Sequence, residues 1–89
     1  MNNVRIGDLE NIVVFFRLNQ IDVKILANRE EIFASPAYNF LKKIGCTQTP
    51  FKFFHNGREL YLTEPKYIYE YGIKNNNIID VIGIPSILK

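Results

Sequence analysis

The dipeptide Asn56-Gly57 stands between two short segments, Phe51-Lys52-Phe53-Phe54 and Arg58-Glu59-Leu60-Tyr61. Asn-Gly in this setting is the strongest short-range signal for a β-hairpin, because both residues accept the positive φ that a tight turn requires. The sequence therefore predicts two antiparallel strands here, so the fold must contain a sheet.

Three other segments also predict strands. Asn11 to Arg17 is rich in β-branched and aromatic residues, which favour a pleated strand. Ile21 to Ile25 alternates apolar and charged residues, the pattern of a strand with one buried face. Ile78 to Ile82 is a last apolar segment, and Asn75-Asn76-Asn77 before it is typical of a turn.

The short connection Arg17-Leu18-Asn19-Gln20, as a four-residue loop or as a two-residue turn centred on it, predicts a hairpin between the first two strands. The pairs expected across it are Phe16 with Ile21, Val14 with Val23 and Ile12 with Ile25. These six residues would share the core face, whereas Val13 and Phe15 would point to the opposite face.

A helix is predicted between the two hairpins. Ser35 can serve as its N-cap, Pro36 is tolerated in a first turn, and Gly45 can adopt the left-handed conformation that ends a helix. Its apolar stripe consists of Phe33, Ala37, Phe40, Leu41 and Ile44.

The composition is that of one small domain without cross-links. The chain has 89 residues, seven Phe, five Tyr and a single cysteine, so an internal disulfide is excluded. The formal net charge of +2 is scattered along the chain and does not favour a nucleic-acid partner. No apolar run approaches the roughly 20 residues that a membrane span needs, and we expect an intracellular protein, cytoplasmic or nuclear.

The side chains give catalysis little support. Cys46 and His55 are the only thiol and the only imidazole, and a nucleophile needs a base within hydrogen-bond reach. We expect Cys46 to pack in the core or just below the surface and His55 to be a surface strand residue. We predict no enzyme activity, no cofactor and no metal site, since one His and one Cys cannot supply four zinc ligands.

In the order ββαββ, these elements resemble the β-grasp fold of the ubiquitin superfamily, and within it the SUMO-like branch. Three places carry the resemblance: Gly45 at the helix end, the segment Phe53 to Leu60 around the Asn-Gly turn, and the segment Tyr69 to Val81. It implies an α+β fold with one main helix packed across a mixed sheet of four to five strands.

The resemblance implies a ubiquitin-like domain from Asn11 to Ile84, with a flexible leader at 1–10 and a short tail at 85–89. The sequence departs from the family where Lys74-Asn75-Asn76-Asn77 replaces an acidic turn, and two extra residues lie between Ile25 and Phe33. It also contains no Gly-Gly pair. We therefore expect a domain that binds partners and is not conjugated to them.

Two partner surfaces follow from this resemblance. The first is an apolar patch on the helix-free face of the sheet, where Phe15, Ile82 and Phe54 would form a row. The patch is predicted to comprise Phe15, Phe54, Ile82, Val13 and Arg58. Contiguous apolar patches of this kind mark interaction sites, and the expected partners are ubiquitin-like-binding domains.

The second surface is the groove between the second strand and the helix, which would accept an extended apolar motif as an added strand. Its predicted residues are Ile21, Val23, Lys24, Ile25, Phe40 and Lys43.

Alternatives remain open for both fold and function. Another small α+β domain has similar turn chemistry, and an RNA-recognition fold would place aromatic residues on the strand at Phe51 to Phe54 but needs a second full helix. The functional alternatives are a precursor or fragment of a conjugated modifier, and a subunit that buries the apolar face in a homo-oligomer.

Overall fold

A computed structural model describes residues 11–46 and 51–83. Within them a single α-helix and five strands occur in the order β1 (Asn11–Leu18), β2 (Ile21–Asn28), α1 (Ala34–Lys43), β3 (Phe51–His55), β4 (Arg58–Leu60) and β5 (Asn77–Gly83). A 3-10 helix at Ile68–Tyr71 lies between β4 and β5. The predicted leader at 1–10 and tail at 85–89 lie outside the described residues.

The five strands form one mixed sheet in the order β2-β1-β5-β3-β4. The central strands β1 and β5 are parallel, and the other neighbouring pairs are antiparallel. With α1 packed across one face, this is the predicted β-grasp arrangement. The RNA-recognition alternative is wrong, because the described chain after β3 holds only the short 3-10 helix.

Four phenylalanines form the centre of the core between sheet and helix. Phe16 stacks on Phe40 with ring centroids 4.9 Å apart, and Phe53 meets Phe16 edge-on at 5.9 Å. Phe33 contacts both Phe16 and Phe53. The predicted helical stripe is confirmed, since all its members are buried except Ile44, which is partly buried.

The helix begins one residue before the predicted N-cap. Phe33 occupies the N-cap position without a side-chain cap, so the prediction for Ser35 is wrong. The Ser35 hydroxyl instead donates to Glu31 Oε2 at 3.3 Å. Pro36 then falls in the first turn, where main-chain N–H groups lack helical partners and the missing donor is tolerated. At the other end Gly45 has φ +78°, as predicted.

The register of the first hairpin differs from the prediction by two residues. Only Asn19 and Gln20 form the turn, both with positive φ, so Leu18 pairs with Ile21. The observed core-face pairs are Phe16 with Val23, Val14 with Ile25 and Ile12 with Ala27. Ile21 therefore lies at the hairpin end, 65% exposed, and is not the core residue that was expected.

His55 is buried and is not the surface residue predicted for its place beside a turn. It is 6% exposed, and its Nε2 lies 3.0 Å from the side-chain oxygen of Asn77. That oxygen also accepts the main-chain N–H of Lys74 at 2.9 Å. Because an amide oxygen only accepts hydrogen bonds, Nε2 is the protonated ring nitrogen of His55.

Candidate functional site

The sheet face away from α1, which we call the outer face, carries the candidate site. Side chains alternate along a strand, so Val13, Phe15 and Arg17 of β1 point outward while their neighbours enter the core. The strand register then fixes which side chains meet across the face.

One half of the outer face is apolar. Phe15 lies opposite Ile78 of β5, and Val13 lies opposite Leu26 of β2. Val13, Phe15 and Ile78 are partly buried, whereas Leu26 is 64% exposed. We call Val13, Phe15, Leu26 and Ile78 the apolar half. Directly opposed side chains lie close enough to form one surface, with Lys24 beside Phe15 at its edge.

A charged row borders the apolar half. Arg17 lies opposite Asp22 on one side and Asp80 on the other. Its guanidinium donates to both Asp22 carboxylate oxygens, from Nε at 2.7 Å and from a terminal nitrogen at 3.0 Å. This hydrogen bond lowers the pKa of Asp22 and raises that of Arg17, with the charge of Asp22 adding to the rise. The ion pair is solvent-exposed and separates two regions of the face.

The predicted row of Phe15, Ile82 and Phe54 is not formed. All three lie on the outer face, but Phe54 is opposite Asp80 in the charged row, and Ile82 lies beyond that row, opposite Lys52. Phe54 is therefore a diagonal neighbour of both Ile78 and Ile82, and it lies two strands away from Phe15. The parallel register places Ile78, not Ile82, beside Phe15.

Arg58 does not belong to the predicted patch. It pairs directly with His55, and directly paired residues share a sheet face. Since His55 points to the helix side, Arg58 does too, where it lines a small cleft with His55 and Tyr71. Leu26 and Ile78 are the patch residues that the sequence argument did not place there. The alternation of Ile78 with Asp80 along β5 predicted that Ile78 points outward. The sequence did not show that its neighbour across the sheet is Phe15.

The predicted groove between β2 and α1 is only partly accessible. Ile25 and Phe40 are buried in the core, Val23 is partly buried, and Ile21, Lys24 and Lys43 are exposed. The Lys43 ammonium donates to the main-chain carbonyl of Lys24 at 3.2 Å. This hydrogen bond ties the helix end to the strand across the groove.

The edge of β2 nevertheless presents main-chain groups. Antiparallel pairs alternate between bonded and non-bonded, and the Leu18 and Ile21 pair that closes the turn is of the bonded kind. The N–H and C=O groups of Asp22, Lys24 and Leu26 therefore point away from β1. β2 is the terminal strand of the sheet, so an added strand would meet these groups.

Neither the thiol nor the imidazole lies in a catalytic arrangement. Cys46 is partly buried beside Tyr38, Leu41 and Lys42, and His55 is bonded to Asn77. Within residues 11–46 and 51–83, no group of three or more His, Cys, Asp or Glu side chains could hold a metal ion. Over the same residues, the chain has no helix with the length and apolarity to cross a membrane.

Solved structures of ubiquitin-like domains have a similar fold. The domain of yeast Ddi1 matches with a TM-score of 0.75 and 14% identity, covering 88% of this chain and 94% of that one. The ubiquitin-like domain of an Arabidopsis thaliana protein matches with a TM-score of 0.73 and 17% identity, covering 97% and 90%. A protein designed on the basis of ubiquitin matches with a TM-score of 0.70 and 16% identity, covering 90% and 96%.

No protein-family model and no curated protein sequence matches this chain. The likeness is thus one of fold: the chain has the ubiquitin-like β-grasp fold.

Proposed function

We propose that this chain is a non-catalytic ubiquitin-like domain that binds other proteins through the apolar half of its outer face. The observation that carries the proposal is the contiguity of Val13, Phe15, Leu26 and Ile78 across three neighbouring strands. Single exposed apolar side chains are ordinary, but contiguous ones on a sheet mark interaction sites.

The charged row supports the same function. Asp22, Arg17 and Asp80 provide a polar border beside apolar residues, and protein interfaces combine an apolar centre with a polar rim. A fitting partner is a helix or sheet with an apolar ridge, whose ends can bond to these charges. Ubiquitin-like-binding domains have that chemistry.

A second candidate is SUMO-like recognition at the edge of β2. It is favoured by the outward main-chain groups of Asp22, Lys24 and Leu26, which can pair with an extended apolar peptide. The hydrogen bond from Lys43 to Lys24 occupies one of those groups. An added strand would therefore displace the lysine, or pair only beside Asp22 or Leu26.

The proposal includes the absence of conjugation. The sequence contains five glycines, none of them adjacent, so these 89 residues hold no diglycine for an activating enzyme to adenylate. Incubation with ubiquitin-family activating enzymes and ATP should give no thioester. Formation of one would instead identify a conjugated modifier.

Chemical-shift perturbation in the ¹⁵N-labelled domain tests the binding surface. Titration with helical ubiquitin-binding peptides should shift the amides of Val13, Phe15, Leu26 and Ile78. Ile78→Ser should weaken binding about tenfold or more, as expected for a residue at the centre of an interface. Ile82→Ser is the matched control, because Ile82 is an exposed isoleucine on the same strand beyond the charged row.

Equal loss of binding in both variants, or shifts confined to the groove, would reject this surface. Sedimentation at high protein concentration tests the alternative that the domain self-associates through this face. A monomer that still binds the peptides supports recognition, whereas a dimer dissociated by Ile78→Ser would show that the face is buried in an oligomer.

A further inference from the structure

The small cleft beside the turn between β3 and β4 has a volume of about 260 Å³ and lies on the helix side of the sheet. The pair of His55 and Arg58 closes that turn, so the two side chains lie next to each other on one face. The end of the 3-10 helix completes the cleft. Its lining residues are His55, Asn56, Arg58, Tyr71 and Gly72.

Arg58 places a cation at this cleft. Its side chain is exposed, and it has no hydrogen-bond or ion-pair partner within residues 11–46 and 51–83. No acid is among the lining residues: Glu59 points to the outer face, and Glu64, which accepts the Tyr71 hydroxyl, lies outside the lining. The guanidinium can therefore bond to both oxygens of a carboxylate that enters the cleft.

His55 adds a hydrogen-bond acceptor. Its Nε2 donates to the side chain of Asn77, so the lone pair of the neutral ring is at Nδ1. Nδ1 has no hydrogen-bond partner among the residues that the structure describes. Every fully buried side-chain nitrogen or oxygen in that part of the chain does have a partner. Nδ1 is therefore not fully buried, and it is the acceptor that this ring offers to the cleft.

The other lining residues add one more donor. The Tyr71 hydroxyl proton is already donated to Glu64 at 2.9 Å, so it is not available to a ligand. Gly72 contributes only main chain. Asn56 is exposed at the rim, where its side-chain amide can donate. A fitting ligand therefore carries one negative charge with a hydrogen-bond donor directly beside it.

We propose that this cleft binds the free carboxy-terminus of a peptide. The terminal carboxylate accepts hydrogen bonds from Arg58, and the main-chain N–H of the same terminal residue donates to His55 Nδ1. Both ligand groups are attached to one Cα, which suits two side chains that are direct neighbours across a strand pair. Capture of a terminal carboxylate is one of the recurring modes of peptide recognition.

The site is separate from the apolar half, which lies on the opposite face of the sheet. The inference therefore stands whether or not the proposed function holds.

Inorganic phosphate is the rival ligand, because arginine also binds phosphate through two parallel hydrogen bonds. The structure favours a peptide terminus, since the lining has a single arginine and His55 presents an acceptor. An acceptor at Nδ1 would face the lone pairs of a fully ionised anion, whereas a peptide N–H satisfies it.

Titration of the ¹⁵N-labelled 89-residue chain with the peptide acetyl-Ala-Ala, in a buffer without phosphate, tests the site. The peptide should shift the amide signals of Arg58 and Gly72 and the Nδ1 signal of His55, which reports a hydrogen bond to that nitrogen. The carboxamide acetyl-Ala-Ala-NH₂ lacks the charge, and acetyl-Ala-Pro lacks the terminal N–H. Each should bind about tenfold less tightly or worse.

Arg58→Gln should weaken binding of acetyl-Ala-Ala about tenfold. Lys52→Gln is the matched control, because Lys52 is an exposed cation on the neighbouring strand that pairs with Ile82 and points to the outer face. Its affinity should stay within about twofold of that of the unchanged chain. Ile78→Ser should also leave this binding intact, which separates the cleft from the outer face.

The inference is overturned if acetyl-Ala-Ala shifts none of these signals, or if the carboxamide or the proline peptide binds as tightly. It is equally overturned if Lys52→Gln weakens binding as much as Arg58→Gln, or if inorganic phosphate binds more tightly than the peptide. Arg58 and Lys52 are exposed, so the amide spectrum of each variant checks its folding. The peptide comparisons use the unchanged chain and do not depend on any variant.

Discussion

The Nζ of Lys43, at the last residue of α1, donates a hydrogen bond of 3.2 Å to the main-chain carbonyl of Lys24 on the edge strand β2. The bond joins helix and sheet at the one side of the groove where an added strand would enter.

Lys43→Ala is expected to remove this bond and lower the free energy of unfolding by about 0.5 to 1 kcal/mol. Lys42→Ala provides the control, because Lys42 is also exposed in the last helical turn. Urea unfolding, monitored by circular dichroism, measures the free energy of unfolding of both variants. A loss of the same size in the two variants would show that the bond contributes nothing of its own.

Phe16→Ala should be the most damaging single truncation of an aromatic residue on β1. Phe16 is fully buried and contacts Phe33, Phe40 and Phe53, and removal of a buried phenylalanine costs about 3 to 5 kcal/mol. Phe15→Ala, one residue earlier on the outer face, should cost clearly less because Phe15 is only partly buried. The denaturant midpoints of the two variants measure these losses of stability. An equal loss in both would contradict the assignment of Phe16 to the core and Phe15 to the outer face.

Asn77→Ala is expected to destabilise the domain by about 1 to 3 kcal/mol, because it leaves the buried His55 ring without its acceptor. The main-chain N–H of Lys74 loses the same oxygen. Asn39→Ala, at an exposed helical position, should be neutral within about 0.5 kcal/mol. The His55 ring NMR signals should shift in Asn77→Ala, and an unchanged spectrum would count against the bond.

Tyr71 should make stability depend on alkaline pH. Burial, assisted by donation of its hydroxyl to Glu64 at 2.9 Å, raises the pKa of Tyr71 to about 12. An unfolded tyrosine titrates near pH 10, so the unfolded chain loses this proton first. The contribution of Tyr71 to the free energy of unfolding is therefore fully present below about pH 10 and is lost as pH rises towards 12. It amounts to about 2 to 3 kcal/mol.

Tyr71→Phe removes this titration and should show a shallower fall in the free energy of unfolding between pH 10 and 12. All other side chains are the same in both proteins, so the difference between the two curves isolates Tyr71. Parallel curves would refute the role of its proton.

The charged row should also prevent two molecules from associating through their outer faces. Asp80 lies between Ile78 and Ile82 along β5, so Asp80→Val would create a continuous apolar stripe, and such stripes promote association. Sedimentation velocity should detect dimers or larger species at concentrations where the unchanged chain and Asp80→Asn remain monomeric. A monomeric Asp80→Val would mean that Arg17 and Asp22 suffice to prevent association.

Local turn chemistry accounts for much of what the sequence predicted correctly. Asn56 and Gly57 have φ of +52° and +82°, as the dipeptide indicated, and the helix ends at a left-handed Gly45. Buried and outward positions on β1 also followed from alternation, whereas those of Ile21 on β2 and His55 on β3 did not. Each of these features depends on residues a few positions apart, so it can be predicted from one short segment of the sequence.

Features that depend on distant segments were not predictable in the same way. Asn19 and Gln20 form a turn without glycine, and the sequence could not decide between a two-residue and a four-residue connection. The neighbour of Phe15 on β5 depends on a parallel register over more than 60 residues of chain. His55 is polar by type, and its burial depends on a hydrogen bond to Asn77, which lies 22 residues later in the chain.

The parallel pairing of β1 with β5 joins the first described strand to the last at the centre of the sheet. During synthesis on the ribosome, β1 and β2 can close their hairpin early, but the site beside β1 stays empty until β5 has left the exit tunnel. Folding of the domain as a unit must therefore follow translation of residue 83, and until then the apolar edge of β1 is open to chaperones or to wrong partners.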